Sequence, residues 1–275
     1  MGLRVNTNVF SLNAQKNLMN VSTKLGSSFA KLSSGLRITT AADDAAGLGI
    51  SERMRSQIRS LAQAGRNTQD GISLVQTAEG AMNEISANLI RMRELAVQAS
   101  SGTLSTDDRI AIDTEFDDLV SEIQRISDET EFNDIALLDG TNSTVGIQVG
   151  IDNVAAEDQV SVELTNVSST LLAISTLDTS AVANASAALS SIDTAINSVN
   201  TARAKLGANQ NQLSSAQRSI DNLRENLSAA ESRIRDVDVA EETATLTKNS
   251  ILQQAAVSVL AQANVQPQLA LSLLG

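Results

Sequence analysis

LSSIDTAINSVNTARAKLGANQNQLSSAQRSIDNLRENLSAAESRIRDV (189–237) carries an apolar residue at every seventh position: Ile192, Val199, Leu206, Leu213, Ile220, Leu227 and Ile234. Three residues beyond each stand Ala195, Ala202, Asn209, Ala216, Leu223, Ala230 and Val237. This alternation of three and four matches the helical turn, so both sets fall on one stripe, the a and d positions of successive heptads. The stretch predicts an unbroken helix roughly 70 Å long, at about 1.5 Å per residue. Alanine at most d positions lets a partner helix approach closely and predicts tight packing at Ala216 and Ala230. Asn209 puts an amide into the stripe. It reads either as a device that fixes register at a cost in stability or as a tolerated polar contact.

Such a helix needs partners, and the N-terminal half supplies them. Val75, Ala78, Met82, Ile85, Leu89, Met92, Ala96 and Ala99 follow the same spacing. The run breaks at SSGTLSTDD (100–108), where Gly102 and the hydroxyl residues predict a turn. Ser105 or Thr106 is placed to cap a new helix whose first turn holds Asp107 and Asp108. Ile112, Phe116, Leu119, Ile123 and Ile126 then resume the stripe, so this helix is expected to fold back on the one before it. Between the helical halves, Val145, Ile147, Val149 and Ile151 alternate with glycine and glutamine, and Val160, Val162 and Leu164 alternate again. That period of two predicts a β-hairpin at about 140–170.

Both ends are amphipathic. Leu18, Leu25 and Leu32 are seven apart, as are Val5, Leu12 and Met19, and Phe29 extends the stripe. Leu252, Ala256, Val259 and Ala263 follow 4-3-4 spacing, and the sole proline, Pro267, is expected to end that helix. The last residues, LALSLLG, place Leu273 and Leu274 in an apolar tail. Helices with such faces are marginal alone. They pair within one chain or join other chains.

Composition narrows the chemistry. The 275 residues include no Cys and no His. This excludes disulfides, thiol nucleophiles and any metal site built on those side chains. No cofactor is indicated. Aromatics make up 1% of the chain, so the core must be aliphatic, which favours packed helices over a β-sandwich or barrel. Of the net charge of −12, residues 1–42 carry five bases and no acid, and residues 243–275 carry only Lys248, so the segment between carries −18. The sparse bases have no accompanying aromatics, which argues against a nucleic-acid partner. No run reaches the ~20 apolar residues of a membrane span, and no cleavable signal is visible. The pairs Asp43/Asp44, Asp107/Asp108, Asp117/Asp118 and Glu241/Glu242 invite an acid–base or metal reading. Adjacent residues on a helix do not share a face, and acids near helix N-termini complement the dipole, so a structural reading is preferred.

Several long stretches resemble the bacterial flagellins: NTNVFSLNAQKNL (6–18), LSSGLRITTAADDAAGLGISERMRSQIRSL (32–61), LIRMRELAVQAS (89–100), ISDETEFNDIALLDG (126–140) and the whole of 232–275. Thr40, Ala42 and Asp134 depart from the usual Ser, Lys and Gly of the family pattern. The resemblance implies a mainly α fold, a long coiled-coil-like helical bundle with one small β-hairpin region and paired terminal helices. The implied division is 1–42 with 238–275 as a terminal filament-core domain and 43–237 as the bundle. Large outer insertions are not expected, because only about 50 residues separate the matched halves.

The implied function is non-enzymatic: an extracellular subunit that self-assembles into the flagellar filament for motility. The hook–filament junction protein is the alternative, since it resembles flagellin at both termini. Implied partners are further copies of the chain, an export chaperone, the type III export apparatus, and the hook-associated and cap proteins. Subunit packing is expected of Val5, Leu12, Leu18, Leu25, Phe29, Leu32, Leu252, Ala256, Val259, Leu273 and Leu274. The resemblance also implies a host Toll-like receptor as a partner, at Arg91, Leu95 and Glu115. Arg91 and Leu95 are four apart and so share a helical face. Neither is in the apolar set above, so both are expected to point outward beside Glu115. The alternative is an ordinary solvated or filament-packing surface.

Overall fold

A computed structural model of the chain describes residues 7–152, 154–169 and 171–272. In chain order these form α1 (Val9–Ser34), α2 (Ala45–Ala99), α3 (Thr106–Glu129), β1 (Glu131–Phe132), β2 (Ile135–Ala136), β3 (Thr144–Gln148), the single turn α4 (Ala155–Asp158), β4 (Gln159–Glu163), α5 (Val182–Arg235) and α6 (Val239–Ser272). They divide into two compact units, Met1–Ser56 with Asn226–Gly275, and Gln57–Glu225.

In the unit Gln57–Glu225 the heptads close a core. Ile192, Ala195, Val199, Ala202, Leu206 and Leu213 of α5 are buried, together with Val75, Ala78, Met82, Ile85, Leu89 and Met92 of α2. Phe116 and Ile123 of α3 join the same cluster. The expected hairpin is present: β3 and β4 pair antiparallel, Val145 opposite Val162 and Ile147 opposite Val160. Val160 and Val162 are buried, and Ile147 sits against Gly71 of α2, where an added Cβ would come within 3.0 Å of its side chain. A larger residue there would force the Ile147 side chain to shift.

Two features correct the heptad reading. Ala216 is half-buried, and Leu223 is exposed. Asn209 Nδ2 is buried without a protein partner, which fits the reading of the amide as a cost to stability. A short hairpin, β1–β2, also lies where only a motif was visible. It turns on Asn133 and Asp134 with φ of 51° and 62°.

Local chemistry sets the connection between α2 and α3. Ser105 caps α3: its hydroxyl accepts from Asp108 N, and Asp108 accepts from Ser105 N. Arg109, inconspicuous in its helical run, is buried one turn on. Its guanidinium donates to the carbonyls of Ala99 (3.1 Å), Ser101 (2.9 Å) and Leu104 (2.8 Å). One cation thereby satisfies the end of α2 and the turn that follows, where carbonyls have no helical donor.

The expectation that Pro267 ends its helix is overturned. α6 continues through it to Ser272. Proline removes a single N–H, the one that would serve the carbonyl of Ala263, and Asn8 Nδ2 donates to that carbonyl instead at 2.7 Å.

Candidate assembly surface

The terminal unit is built from α1 and α6, which pack against each other. Asn8 caps α1 by accepting from Ser11 N at 3.1 Å. At the other end Gly35 leaves the helix at φ 71°, a left-handed conformation that suits glycine. The chain then meets α5 as it ends. Arg37 N donates to Arg235 O at 2.6 Å, Val237 N donates to Gly35 O at 3.0 Å, and Leu36 bridges to Asp236. Asp238 accepts from Ala240 N and Glu241 N to start α6.

The acidic pair Asp43/Asp44 is structural. Asp43 gathers the N–H and hydroxyl of Thr39 and Thr40, and those hydrogen bonds, Thr40 N–H first, hold its carboxyl down to about 2. Asp44 accepts from Gly47 N at 2.8 Å, at the start of α2. In the bundle, Asp113 accepts from both the N–H and the hydroxyl of Thr179. Burial, with neighbouring Asp113 and Asp178, raises the carboxyl of Asp117. Among the described residues no group of acids is arranged to hold a metal ion.

Two sets of residues stand out on the terminal helices. Ser11, Ala14, Leu18, Val21, Leu25, Ser28 and Leu32 of α1 are buried or half-buried in 3-4 spacing, as are Leu246, Asn249, Gln253, Ala256, Leu260 and Ala263 of α6. These form the seam within the chain. Phe10, Leu12, Met19 and Phe29 of α1 and Ile251, Leu252, Val257 and Val259 of α6 stand in the solvent, Met19 with 71% of its surface exposed. The expected packing residues are thus split. Leu18, Leu25, Leu32 and Ala256 lie in the seam, whereas Leu12, Phe29, Leu252 and Val259 are exposed outside it. Val5, Leu273 and Leu274 lie outside the described residues.

The second candidate surface is on the bundle. Arg91 reaches across from α2 to α3, donating to Glu115 at 2.8 and 2.9 Å and to Glu94 at 3.0 Å. Both Arg91 and Glu115 are exposed, and Glu115, then Glu94, raises the Arg91 guanidinium. Leu95 is a correction. It is only 1% exposed and belongs to the core cluster. The two ion pairs of this stretch explain why. Arg91 pairs with α3 and Arg93 pairs with Asp193 of α5. α2 is therefore flanked on two sides here, and its buried face widens beyond one stripe to take in position 95.

Comparison with known proteins agrees with this architecture. The family model for the bacterial flagellin N-terminal helical region matches residues 5–143, and that for the C-terminal helical region matches residues 189–274. Flagellin of Halalkalibacterium halodurans is 49% identical over 98% of this chain and 99% of its own length. Flagellin of Bacillus subtilis is 44% identical over 99% of this chain and 100% of its own length. Among solved structures, the crystal structure of Bacillus cereus flagellin superposes with a TM-score of 0.51 at 33% identity, covering 56% of this chain and 88% of that one. With the two helical regions matched across most of its length and full-length relatives at such identity, this chain belongs to the bacterial flagellin family.

Proposed function

We propose that this flagellin serves as the structural subunit of the extracellular flagellar filament and polymerises through the open face of its α1–α6 pair. The observation that carries the reading is the exposure of Leu12, Met19, Phe29, Ile251, Leu252 and Val259 on two helices whose own seam is already closed. Fully burying a side chain of this size is worth about 1.5–3 kcal/mol, so a second copy laid on this face gains substantially. Because the contact joins different surfaces of successive copies, repetition without ring closure produces a helical fibre. In sequence, Val5 continues the series of Leu12, Leu273 that of Val259, and Leu274 that of Leu260 in the seam, and all three are part of the proposed packing.

The role is mechanical and no catalysis is part of it. The subunit reaches the filament as an unfolded chain through the type III export apparatus, handed over by an export chaperone, and meets the hook-associated and cap proteins at the filament ends. The exposed Arg91–Glu115 pair is a contact for a host Toll-like receptor, with buried Leu95 supporting it from beneath. Arg91→Ala is expected to weaken receptor binding at least about tenfold, or 1.4 kcal/mol, and a wild-type chain that fails to bind the receptor ectodomain refutes that contact.

The filament reading is tested by adding sheared filament seeds to purified chain and following growth by sedimentation and electron microscopy. Deleting 1–40 or 240–275 should abolish growth while the Gln57–Glu225 unit keeps its cooperative thermal transition. Normal filaments from either truncated chain would overturn the assignment.

A further inference from the structure

We infer that Asn8 is a positioning residue for assembly, which uses the carbonyl freed by Pro267 to lock α1 and α6 in a single register. The inference rests on the filament reading above.

The lock is needed because the seam by itself is a weak guide. Its α6 side repeats Leu246, Gln253, Leu260 and Asn249, Ala256, Ala263 at intervals of seven. A slip of one heptad returns the same lines of residues to the seam, 246, 253 and 260 on one and 249, 256 and 263 on the other, so the spacing alone does not choose the register. The open face does not tolerate that slip. Asn8 meets Ala263 at one end of the pair and Leu36 meets Asp236 at the other. These pairings put Leu12 level with Val259 and Met19 level with Leu252, all four exposed, so the register decides which apolar side chains stand at the same height along the pair. Slipping by seven would set Met19 level with Thr245 and break up that surface.

What Asn8 recognises is unique in the helix. Every interior carbonyl of α6 is served by the N–H four residues on, except where that residue is proline. Pro267 is the only proline in the chain, so Ala263 holds the one interior carbonyl that proline leaves free. Ala263 is buried, so its carbonyl needs a protein donor. The Asn8 carboxamide meets this requirement with Nδ2 at 2.7 Å, while its Oδ1 caps α1 through Ser11 N at 3.1 Å. Ser11 Oγ adds a bond to Asn264 Oδ1 at 2.8 Å. In a register slipped one heptad into the helix Asn8 would face Ala256, whose carbonyl is already engaged by the N–H of Leu260. Both ends of one amide are in use, and serine, which caps helices well, retains only the capping half.

A double-mutant cycle tests this on the full-length chain. Asn8→Ser should raise the critical concentration for seeded growth about tenfold in the Pro267 chain. In the Pro267→Ala chain, where residue 267 supplies its own N–H to Ala263, the same change should raise it less than about threefold. Hydrogen exchange of residues 9–14, in filaments and in the free chain, reads the same lock, with protection lost on Asn8→Ser only when Pro267 is present. Equal effects in the two backgrounds, or no protection of 9–14 in either wild-type form, overturn the lock. A wild-type chain that fails to polymerise but keeps this coupled protection overturns the filament reading and leaves the lock standing.

Discussion

The bundle and the terminal pair are written in the same heptad pattern and reach different ends. In the bundle, Met82, Ile85 and Leu89 of α2 are sealed completely, because α3 lies to one side and α5 to the other. In the terminal pair, α1 and α6 close one seam and leave large apolar side chains of both helices in water. A 3-4 stripe specifies a helix with a sticky side, whereas the number of neighbours decides whether stickiness becomes core or interface.

The sharpest way to break this contrast is to truncate one large side chain in each region. Leu89→Ala should cost about 2–5 kcal/mol of monomer stability in urea unfolding, as buried leucine-to-alanine changes do. Met19→Ala should change monomer stability by less than about 0.5 kcal/mol yet slow filament growth. Equal stability losses would mean that the terminal face is already covered in the free chain. Next in size is Arg109→Ala, which strips the donors from three carbonyls at the end of α2. A loss of about 2–3 kcal/mol is expected, and one below 0.5 kcal/mol would show that water replaces the guanidinium freely.

Asp134→Gly goes the other way. Residue 134 holds φ 62°, and relieving a side chain of that left-handed strain should stabilise the bundle by about 1 kcal/mol. A destabilised variant would mean that the carboxylate has a role the turn geometry does not reveal. The smallest effect is expected at Asp43. Its carboxyl is lowered from 3.8 to about 2 in the folded chain, so its contribution is complete above the unfolded value and is lost as pH falls through about 2. Amide exchange of residues 36–44 should therefore hold steady down to about pH 4 and rise below it, and Asp43→Asn should remove that dependence. An Asp43 titration midpoint at its ordinary value would refute the assigned hydrogen bonds.

These outcomes bear on what a sequence reveals. The helices, the break at 100–108 and the β3–β4 hairpin were legible because periodicity and capping residues are local signals, and of the two candidate caps, Ser105 and Thr106, the structure uses Ser105, closed into a capping box by Asp108. The burial of Leu95 was not legible, because it depends on α3 and α5 flanking the same stretch of α2. Arg109 was missed for a related reason: a lone arginine in a helical run looks solvated until the carbonyls around it are placed. The unusual residue at 134 was noticed only against a family pattern, and its meaning came with the backbone angle. At the candidate surface, Leu18 and Leu12 belong to two stripes that sequence alone merges. Pro267 was read by its usual rule, and a partner 255 residues away from the freed carbonyl rewrote the outcome.

The terminal pair is fastened at both extremities, by Asn8 and Ser11 to Ala263 and Asn264 at one end and by the Leu36–Asp236 bridge with its flanking backbone bonds at the other. Pulled along its axis, such a pair is loaded in shear. The fastenings and the seam between them resist together, where a pair joined at one end would peel open rung by rung. A fibre loaded along its length is served by that arrangement, since the force needed to slide one helix past the other is shared among all the contacts at once.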